Sequence, residues 1–344
     1  MNEPGSSWLA LDVGGANLKA AHSEGQARSM PFELWKRPEE LAWSLATLAG
    51  TMPAAGRVAL TMTAELCDCY PTKAVGVRSV LQATESAMEG RPIAVWGVDG
   101  LFHTAQEIRD RPELAAASNW LALATLVARL IPPGPGLLID IGSTTTDLIP
   151  LIDGKPAPRG KTDPERLQTG ELVYVGTRRT PLCAVAHELP FRNQPTGLMA
   201  ELFASTLDIY LTLGEIPSDP NDLSTADGRP STADASVDRL ARMVGADRDG
   251  FSSEDAFALA EAADNALMAR LEGATRRATD STIGRPRHAV VSGSGEFLAR
   301  RLADRVLEPG GIIISLAEAW GPVASGAACA HALVELAREW AANA

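Results

Sequence analysis

Residues 137–153, LLIDIGSTTTDLIPLID, constrain the fold of this chain more than any other stretch. An apolar run leads into Asp140, a Gly-Ser-Thr-Thr-Thr turn follows, and Asp147 opens a second apolar run. This pattern predicts two strands joined by a tight turn whose backbone N–H groups are free. Acidic side chains at both edges of such a turn suit the binding of phosphates and a divalent cation.

A weaker copy of this pattern occupies residues 8–21, WLALDVGGANLKAA. Lys19 follows Asp12 at the same spacing that separates Asp147 from Asp140. Strands and helices alternate on both sides of residues 131–136, IPPGPG, which break any regular element. We therefore predict an α/β chain of two related lobes, with a ligand cleft between them.

The two turns are predicted to bind phosphate through glycine, hydroxyl, amide and lysine groups. The candidate residues are Gly14, Gly15, Asn17, Lys19, Gly142, Ser143, Thr144, Thr145 and Thr146. Asp12 and Asp140, on facing lobes, are predicted to hold Mg²⁺, and Asp147 to orient a nucleophile. The alternative is that both hairpins are ordinary turns. Two hairpins with matched spacing favour the site.

Three further places carry candidate groups. Glu65 and Asp68 follow a predicted buried strand over residues 57–62, where ligands bind in α/β sheets, although both also suit a surface turn. Asn119 either lines the cleft or starts a helix. A small-residue turn between a strand and a helix allows close approach of the backbone to a ligand. Its residues are Gly293, Ser294, Gly295 and Glu296.

Residues 217–236 are polar and rich in Ser, Thr, Asp and Ala. They predict an ordered loop or a lid, with disorder as the alternative. Arg239 and Arg242 follow on one face of a predicted helix. They either hold an anionic substrate or lie on a solvated face.

Composition excludes several classes of protein. The net charge is −12 and no basic stripe is present, so we expect no nucleic-acid partner. No apolar run reaches the length of a membrane span and the N-terminus lacks a secretory signal, so we expect a cytoplasmic protein without a membrane partner. The four cysteines lack the spacing of a zinc site, and the role of the Cys67/Cys69 pair stays open. So does the oligomeric state, with a homodimer as one option.

Several motifs resemble those of the actin, sugar kinase and Hsp70 superfamily. LALDVGGANLKAA, LLIDIGSTTTDLIPLIDG and VVSGSGEFLARRL resemble its first phosphate, second phosphate and adenosine motifs, and GPVASGAACAHAL resembles the segment that returns to the first lobe. IGSTTTD is similar to the hydantoinase and oxoprolinase branch. TMTAELCD, SNW, GTRRTP and ADGRPSTADASVDRLARM resemble the branch linked to tetrahydromethanopterin and methanofuran one-carbon metabolism.

The resemblance implies a two-lobed actin-like ATPase (ribonuclease H-like) fold with a cleft between the lobes. The first lobe would span residues 1–131, the second residues 132–321, and residues 322–344 would return to the first lobe. The branch includes a synthase that joins an aminomethylfuran diphosphate to γ-glutamyltyramine and releases pyrophosphate. By this resemblance the partners are a small-molecule diphosphate and a phenolic substrate, and the chain is a transferase.

The same resemblance assigns roles to the candidate residues. Mg²⁺ on Asp12 and Asp140 would stabilise the leaving diphosphate together with Lys19. The candidates for a base that removes the phenol proton are Glu65, Asp68 and Asp147. Substrate contacts are expected from Asn119, from Arg178 or Arg179 to carboxylates, and from the turn formed by Gly293, Ser294, Gly295 and Glu296.

Two features of the chain disfavour ATP. The first turn carries Ala16-Asn17 where many relatives have hydroxyl residues, and the chain is much shorter than ATP-dependent hydantoinases. The retained adenosine-like turn favours ATP. Two alternatives therefore remain open: an ATP-dependent small-molecule kinase or hydantoinase/oxoprolinase-like hydrolase, and a non-catalytic nucleotide-binding scaffold.

Overall fold

A computed structural model describes residues 7–343. The first of its two large sheets has the strand order β3-β2-β1-β4-β5-β6. Its strands are β1 (Trp8–Val13), β2 (Asn17–His22), β3 (Ala27–Pro31), β4 (Arg57–Met62), β5 (Ile93–Trp96) and β6 (Phe102–Thr104). β1 pairs with β2 antiparallel and with β4 parallel. Every residue of β1 is buried, which explains its nearly continuous apolar sequence.

The second large sheet has the order β10-β8-β7-β13-β14, and β9 pairs with β8. Its strands are β7 (Pro135–Ile141), β8 (Thr146–Ile152), β9 (Lys155–Pro156), β10 (Leu172–Val173), β13 (His288–Ser292) and β14 (Ile312–Ser315), and a separate hairpin joins β11 (Glu188–Phe191) to β12 (Gln194–Gly197). β7 pairs antiparallel with β8 and parallel with β13. The two large sheets therefore share a hairpin followed by parallel strands.

Helices cover both sheets. They are α1 (Leu41–Gly50), α2 (Lys73–Ala87), α3 (Ala105–Asp110), α4 (Asn119–Val127), α5 (Asp163–Thr169), α6 (Leu182–Val185), α7 (Thr206–Thr212), α8 (Ala233–Met243), α9 (Ser253–Thr279), α10 (Glu296–Val306), α11 (Leu316–Ser325) and α12 (Ala328–Ala342). α1 and α2 pack on the outer face of the first sheet, and α9 and α10 on that of the second. α4 and α12 share a core with both sheets. Across residues 7–343, none of the helices has the length and apolar character needed to cross a bilayer.

We call each large sheet with its outer helices a lobe. Polar and aromatic side-chain contacts also join the two lobes. Lys73 of α2 forms a 2.6 Å ion pair with Asp163 of α5. The guanidinium carbon of Arg166 lies 4.1 Å from the ring centre of Trp120 in α4. That of Arg179 lies 4.8 Å from the ring centre of Trp35. The lobes are thus in contact across the space between them.

Some predicted element boundaries differ from the structure. The helix expected over residues 198–214 is shortened to α7, because Ser205 and Asp208 form a capping box that starts the helix there. The helix expected over residues 115–130 starts only at Asn119, because Ala117 has a left-handed backbone. Residues 170–175, expected as a strand, contain only the short β10.

The polar loop of residues 217–232 is ordered by ion pairs. Asp222 pairs with Arg178, and Asp227 accepts a 3.1 Å hydrogen bond from Arg239. Arg239 is fully buried and also donates to Asp208 at 2.6 Å. The hypothesis that Arg239 binds an anionic substrate or lies on a solvated face is therefore wrong. Its charge is compensated inside the second lobe, and it fixes the loop to α7 and α8.

Candidate active site

The two hairpin turns have the same backbone geometry. In the first, the Gly14 N–H donates to the Asn17 carbonyl at 3.0 Å, and in the second the Gly142 N–H donates to the Thr145 carbonyl at 2.9 Å. Each bond closes a two-residue tip. The tip N–H groups have no hydrogen-bond acceptor within residues 7–343, and they belong to Gly15, Ala16, Ser143 and Thr144. Free N–H groups on two turns are well suited to binding an anion.

Both turns line one cleft of about 540 Å³. The cleft brings together most of the sequence-predicted site residues: Asp12, Gly14, Gly15, Asn17, Lys19, Asp68, Asn119, Asp140, Gly142, Ser143, Thr144, Thr145, Asp147 and Arg179. It does not bring in Glu65, Thr146, Arg178 or the turn formed by Gly293, Ser294, Gly295 and Glu296. Residues from both sheets contribute, so the cleft lies between the lobes.

Asp12 and Lys19 form the floor of the cleft on the first lobe. They are opposite each other in the β1–β2 register. Burial raises the pKa of Asp12, although Lys19 and the Asn119 amide partly offset that rise. Burial acts to lower the pKa of Lys19, but the negative charges of Asp12 and Asp140 prevail, so its pKa is raised. Lys19 therefore stays cationic in a half-buried position.

Asp140, Asp147 and Leu172 form a row across three neighbouring strands of the second lobe. Asp140 is opposite Asp147 in the β7–β8 pair, and Asp147 is opposite Leu172 in the β8–β10 pair. Directly opposed side chains lie on the same face of a sheet, and all three line the cleft. Burial, with the negative charge of Asp147, raises the pKa of Asp140 to about 6. Two neighbouring carboxylates thus line this edge of the cleft.

The carboxylates of the cleft fit a magnesium ion that is bound only partly by protein. No group of three or more His, Cys, Asp or Glu side chains in the described chain is arranged to hold a metal. Asp12 and Asp140 nevertheless both line the cleft beside the free N–H groups and carry raised pKa values from burial. Mg²⁺ is commonly held by one or two carboxylates together with substrate phosphates. The donor set fits that arrangement and not a cage made by protein alone.

Comparison with known proteins identifies the family. A family model described as hydantoinase/oxoprolinase matches residues 57–336. The chain belongs to the hydantoinase/oxoprolinase family. This confirms the resemblance to that branch seen in the IGSTTTD stretch.

Two relatives are similar to this chain in sequence, one over nearly its full length and one over about a third of it. A (4-{4-[2-(γ-L-glutamylamino)ethyl]phenoxymethyl}furan-2-yl)methanamine synthase from Methanocaldococcus jannaschii is 35% identical over 333 residues, which cover 95% of this chain and 96% of the relative. A protein of the same name from Methanococcus vannielii is 40% identical over 124 residues, or 36% of this chain and 55% of that relative.

The fold of this hydantoinase/oxoprolinase family member also has solved counterparts. A nucleotide-free acetone carboxylase structure superposes with a TM-score of 0.51 at 11% identity, covering 95% of this chain and 70% of that one. At this identity the likeness bears on the fold alone. With the two hairpin-bearing sheets, it confirms the predicted two-lobed, actin-like α/β fold.

Arg166 is a residue of the cleft that the sequence did not reveal. Its side chain is 2% exposed, and one terminal nitrogen donates to the Asp147 carboxylate at 2.5 Å. Its Nε is buried and has no acceptor within the described chain. The only local signal was the capping box of Thr162 and Glu165, which predicts the helix and not the function of the arginine. Arg166 adds a second cation beside Lys19, with donor capacity to spare.

The adenosine-like turn supports the cleft from behind. A Cβ on Gly293 would lie 2.2 Å from the Ile141 carbonyl oxygen and 2.7 Å from the Asp140 carboxylate. A Cβ on Gly295 would lie 2.5 Å from a methyl group of Thr177. The carboxylate of Glu296 accepts hydrogen bonds from Ser315 and from the Ala317 N–H. The turn therefore packs on the second hairpin and is not part of the cleft wall.

Three other predicted residues also lie outside the cleft lining. The Thr146 hydroxyl is buried and donates to the Val175 carbonyl at 2.9 Å. Arg178 is engaged by Asp222. Glu65 is 1% exposed, and neither of its carboxylate oxygens has a hydrogen-bond partner in residues 7–343. Burial raises the pKa of Glu65 to about 7.

Gly176 packs directly on the backbone of the second turn. A Cβ there would lie 2.4 Å from the Thr144 nitrogen and 2.5 Å from the Ser143 carbonyl carbon. We expect Gly176→Ala to destabilise the protein by about 1–3 kcal/mol in urea unfolding, because the backbone cannot move aside as a flexible side chain would. Gly197→Ala is the control, since its added Cβ meets no atom within 4 Å. Equal stability of the two variants would contradict this contact.

Proposed function

We propose that this chain is a transferase that joins a phenol to a furanmethyl carbon and releases diphosphate. The observation that carries the proposal is the 35% identity over 95% of the chain to a synthase whose named product contains a phenoxymethylfuran ether. The phenolic half of that product is γ-glutamyltyramine, and the other half is an aminomethylfuran. The chemistry of the cleft supports a diphosphate as the leaving group on the furan side.

The proposed reaction forms one bond and breaks one. The phenol oxygen bonds to the furanmethyl carbon, and the bond from that carbon to the diphosphate oxygen breaks with its electron pair leaving on diphosphate. The phenol proton passes to a carboxylate of the cleft. Developing negative charge on the leaving group needs fixed positive charge and N–H donors, which are most effective in a site that excludes water.

The residues of the cleft floor supply these groups. The N–H groups of both turn tips, the Lys19 ammonium and the free donors of Arg166 would bind the diphosphate. Mg²⁺, when bound, would neutralise diphosphate oxygens, and Asp12 and Asp140 are the residues that would hold it. The N–H groups and Lys19 are pre-positioned because each belongs to a hydrogen-bonded hairpin.

Asp147 is the best-placed candidate for the base. It lines the cleft directly opposite Asp140, whereas Glu65 lies outside the lining. Arg166 donates to one of its oxygens, which fixes the position of the carboxylate. Asp68 also lines the cleft, but it is exposed to solvent.

Diphosphate release from the two substrates tests the proposal. The purified protein is incubated with Mg²⁺, the aminomethylfuranmethyl diphosphate and γ-glutamyltyramine. We expect one diphosphate to be released per ether formed, with diphosphate measured by a coupled phosphate assay and the ether by mass spectrometry. A chelator is expected to suppress the reaction. ATP with a lactam or a sugar is the comparison. ATP hydrolysis without diphosphate release from the furan substrate would overturn the proposal in favour of an ATP-dependent hydrolase or kinase.

A further inference from the structure

The cleft has an apolar mouth that the diphosphate chemistry does not use. Three large apolar side chains line it while remaining strongly exposed: Leu66 at 57%, Leu167 at 47% and Tyr174 at 61%. Leu66 belongs to the first lobe, and Leu167 and Tyr174 to the second. Single exposed apolar side chains are common on protein surfaces, but several that line one concave site indicate a binding surface.

An arginine without an acidic partner in residues 7–343 lines the same cleft. Arg179 lines the cleft and stacks on Trp35, with 4.8 Å from its guanidinium carbon to the ring centre. Its side chain has no carboxylate partner among residues 7–343, in contrast to Arg178, which is paired with Asp222. Its backbone N–H donates to the Ser143 carbonyl at 3.0 Å, which fixes Arg179 next to the second turn. An unpaired arginine fits a planar carboxylate in a two-bond contact.

The strand register connects this mouth to the reacting groups. Leu172 is opposite Asp147, and Tyr174 is two residues further along the chain. β10 ends at Val173, and Tyr174 follows in a turn closed by a 2.8 Å hydrogen bond from the Val175 N–H to the Val173 carbonyl. Leu172 and Tyr174 both line the cleft. An aromatic ring against Leu172 would have Asp147 beside it and Asp140 one strand beyond, and Tyr174 lines the same cleft.

We propose that this mouth is the binding site of the phenolic acceptor, with Leu66, Leu167 and Tyr174 around its ring and Arg179 on the carboxylate of its glutamyl tail. This inference rests on the proposed function for the identity of the acceptor. The ligand class is an aryl alcohol with an extended, carboxylate-bearing chain. None of these four residues belongs to either turn, so we expect the acceptor to bind without the donor.

Acceptor binding measured without donor tests the site separately from the reaction. γ-Glutamyltyramine is titrated by calorimetry into wild-type protein, Tyr174→Ala and Arg179→Ala. Both variants are expected to bind about tenfold more weakly or worse, from lost apolar contact and a lost charged hydrogen bond respectively. N-Acetyltyramine, which lacks the carboxylate, is the second probe. Arg179→Ala is expected to bind it as wild-type protein does, whereas Tyr174→Ala is expected to weaken it.

Two controls match the changes in size and charge. Leu101→Ala removes an apolar side chain that is 60% exposed but outside the cleft. Arg242→Ala removes an exposed arginine outside the cleft that donates to the Asp238 carbonyl of α8. Both are expected to bind the acceptor normally. Unchanged acceptor binding in Tyr174→Ala and Arg179→Ala, or absence of acceptor binding to wild-type protein, would overturn the site. Normal acceptor binding without diphosphate release would instead overturn the proposed function and leave the aryl site standing.

Discussion

Asp147→Asn is expected to lower the rate of ether formation by about 10²–10⁴-fold, the usual contribution of a general base. The amide keeps the shape of the carboxylate but cannot accept the phenol proton. It also leaves Arg166 without its acidic partner. Diphosphate binding should therefore persist or strengthen, because an extra uncompensated positive charge remains in the cleft. The measurements are single-turnover rates and calorimetry with inorganic diphosphate and Mg²⁺.

Asp68→Asn is the matched comparison for that variant. It also removes a carboxylate of the cleft lining, but one that is exposed to solvent. We expect it to retain most of the activity. Full activity of Asp147→Asn, or activity lost only in Asp68→Asn, would assign the base elsewhere. Loss of diphosphate binding in Asp147→Asn would mean that Asp147 has a structural role.

The second large effect concerns stability and arises at Glu65. Burial raises the pKa of this carboxyl from 4.5 to about 7. The folded protein therefore binds the proton more tightly than the unfolded chain. The contribution to stability is intact below pH 4.5 and is lost as the pH rises to about 7. At 1.36 kcal/mol per pKa unit, the loss is about 3 kcal/mol.

Glu65→Gln removes this titration. The free energy of unfolding of the variant, relative to wild-type protein, is expected to increase by about 3 kcal/mol between pH 4.5 and 7, measured by urea denaturation at several pH values. Any change in the free energy of unfolding that comes from burial of the uncharged glutamine amide is the same at every pH, and such a constant change does not affect this trend. Glu261→Gln, at an exposed position of α9, should show no such trend. A pH-independent difference for Glu65→Gln would refute a buried, protonated carboxyl.

The candidate site was predictable where its signal is local. Asp12 and Asp140 each precede a turn at a fixed spacing, and the hairpins that follow have matching registers. The strand alternation around those hairpins also predicts two lobes. These features depend on neighbours within about ten residues, which a sequence displays directly.

Other parts depend on contacts between distant segments, which a sequence does not display. The row of Asp140, Asp147 and Leu172 follows from pairing of β8 with β10. Arg166 is recognisable only from its burial against Trp120, 46 residues earlier in the chain. The turn of residues 293–296 has a motif that fits a ligand site, yet in the fold it packs on the second hairpin. Tertiary packing decided those three outcomes.

The second turn is enclosed by backbone on two sides. Gly176 abuts Ser143 and Thr144, and Gly293 abuts Ile141 and the carboxylate of Asp140. A loop held in this way has few other conformations available before the ligand arrives. Its ordering on binding would consequently cost little conformational entropy, so more of the intrinsic attraction for an anion would appear as affinity. The two glycines would thus increase the affinity for an anion by restricting the conformations of the turn, although neither of them lines the cleft.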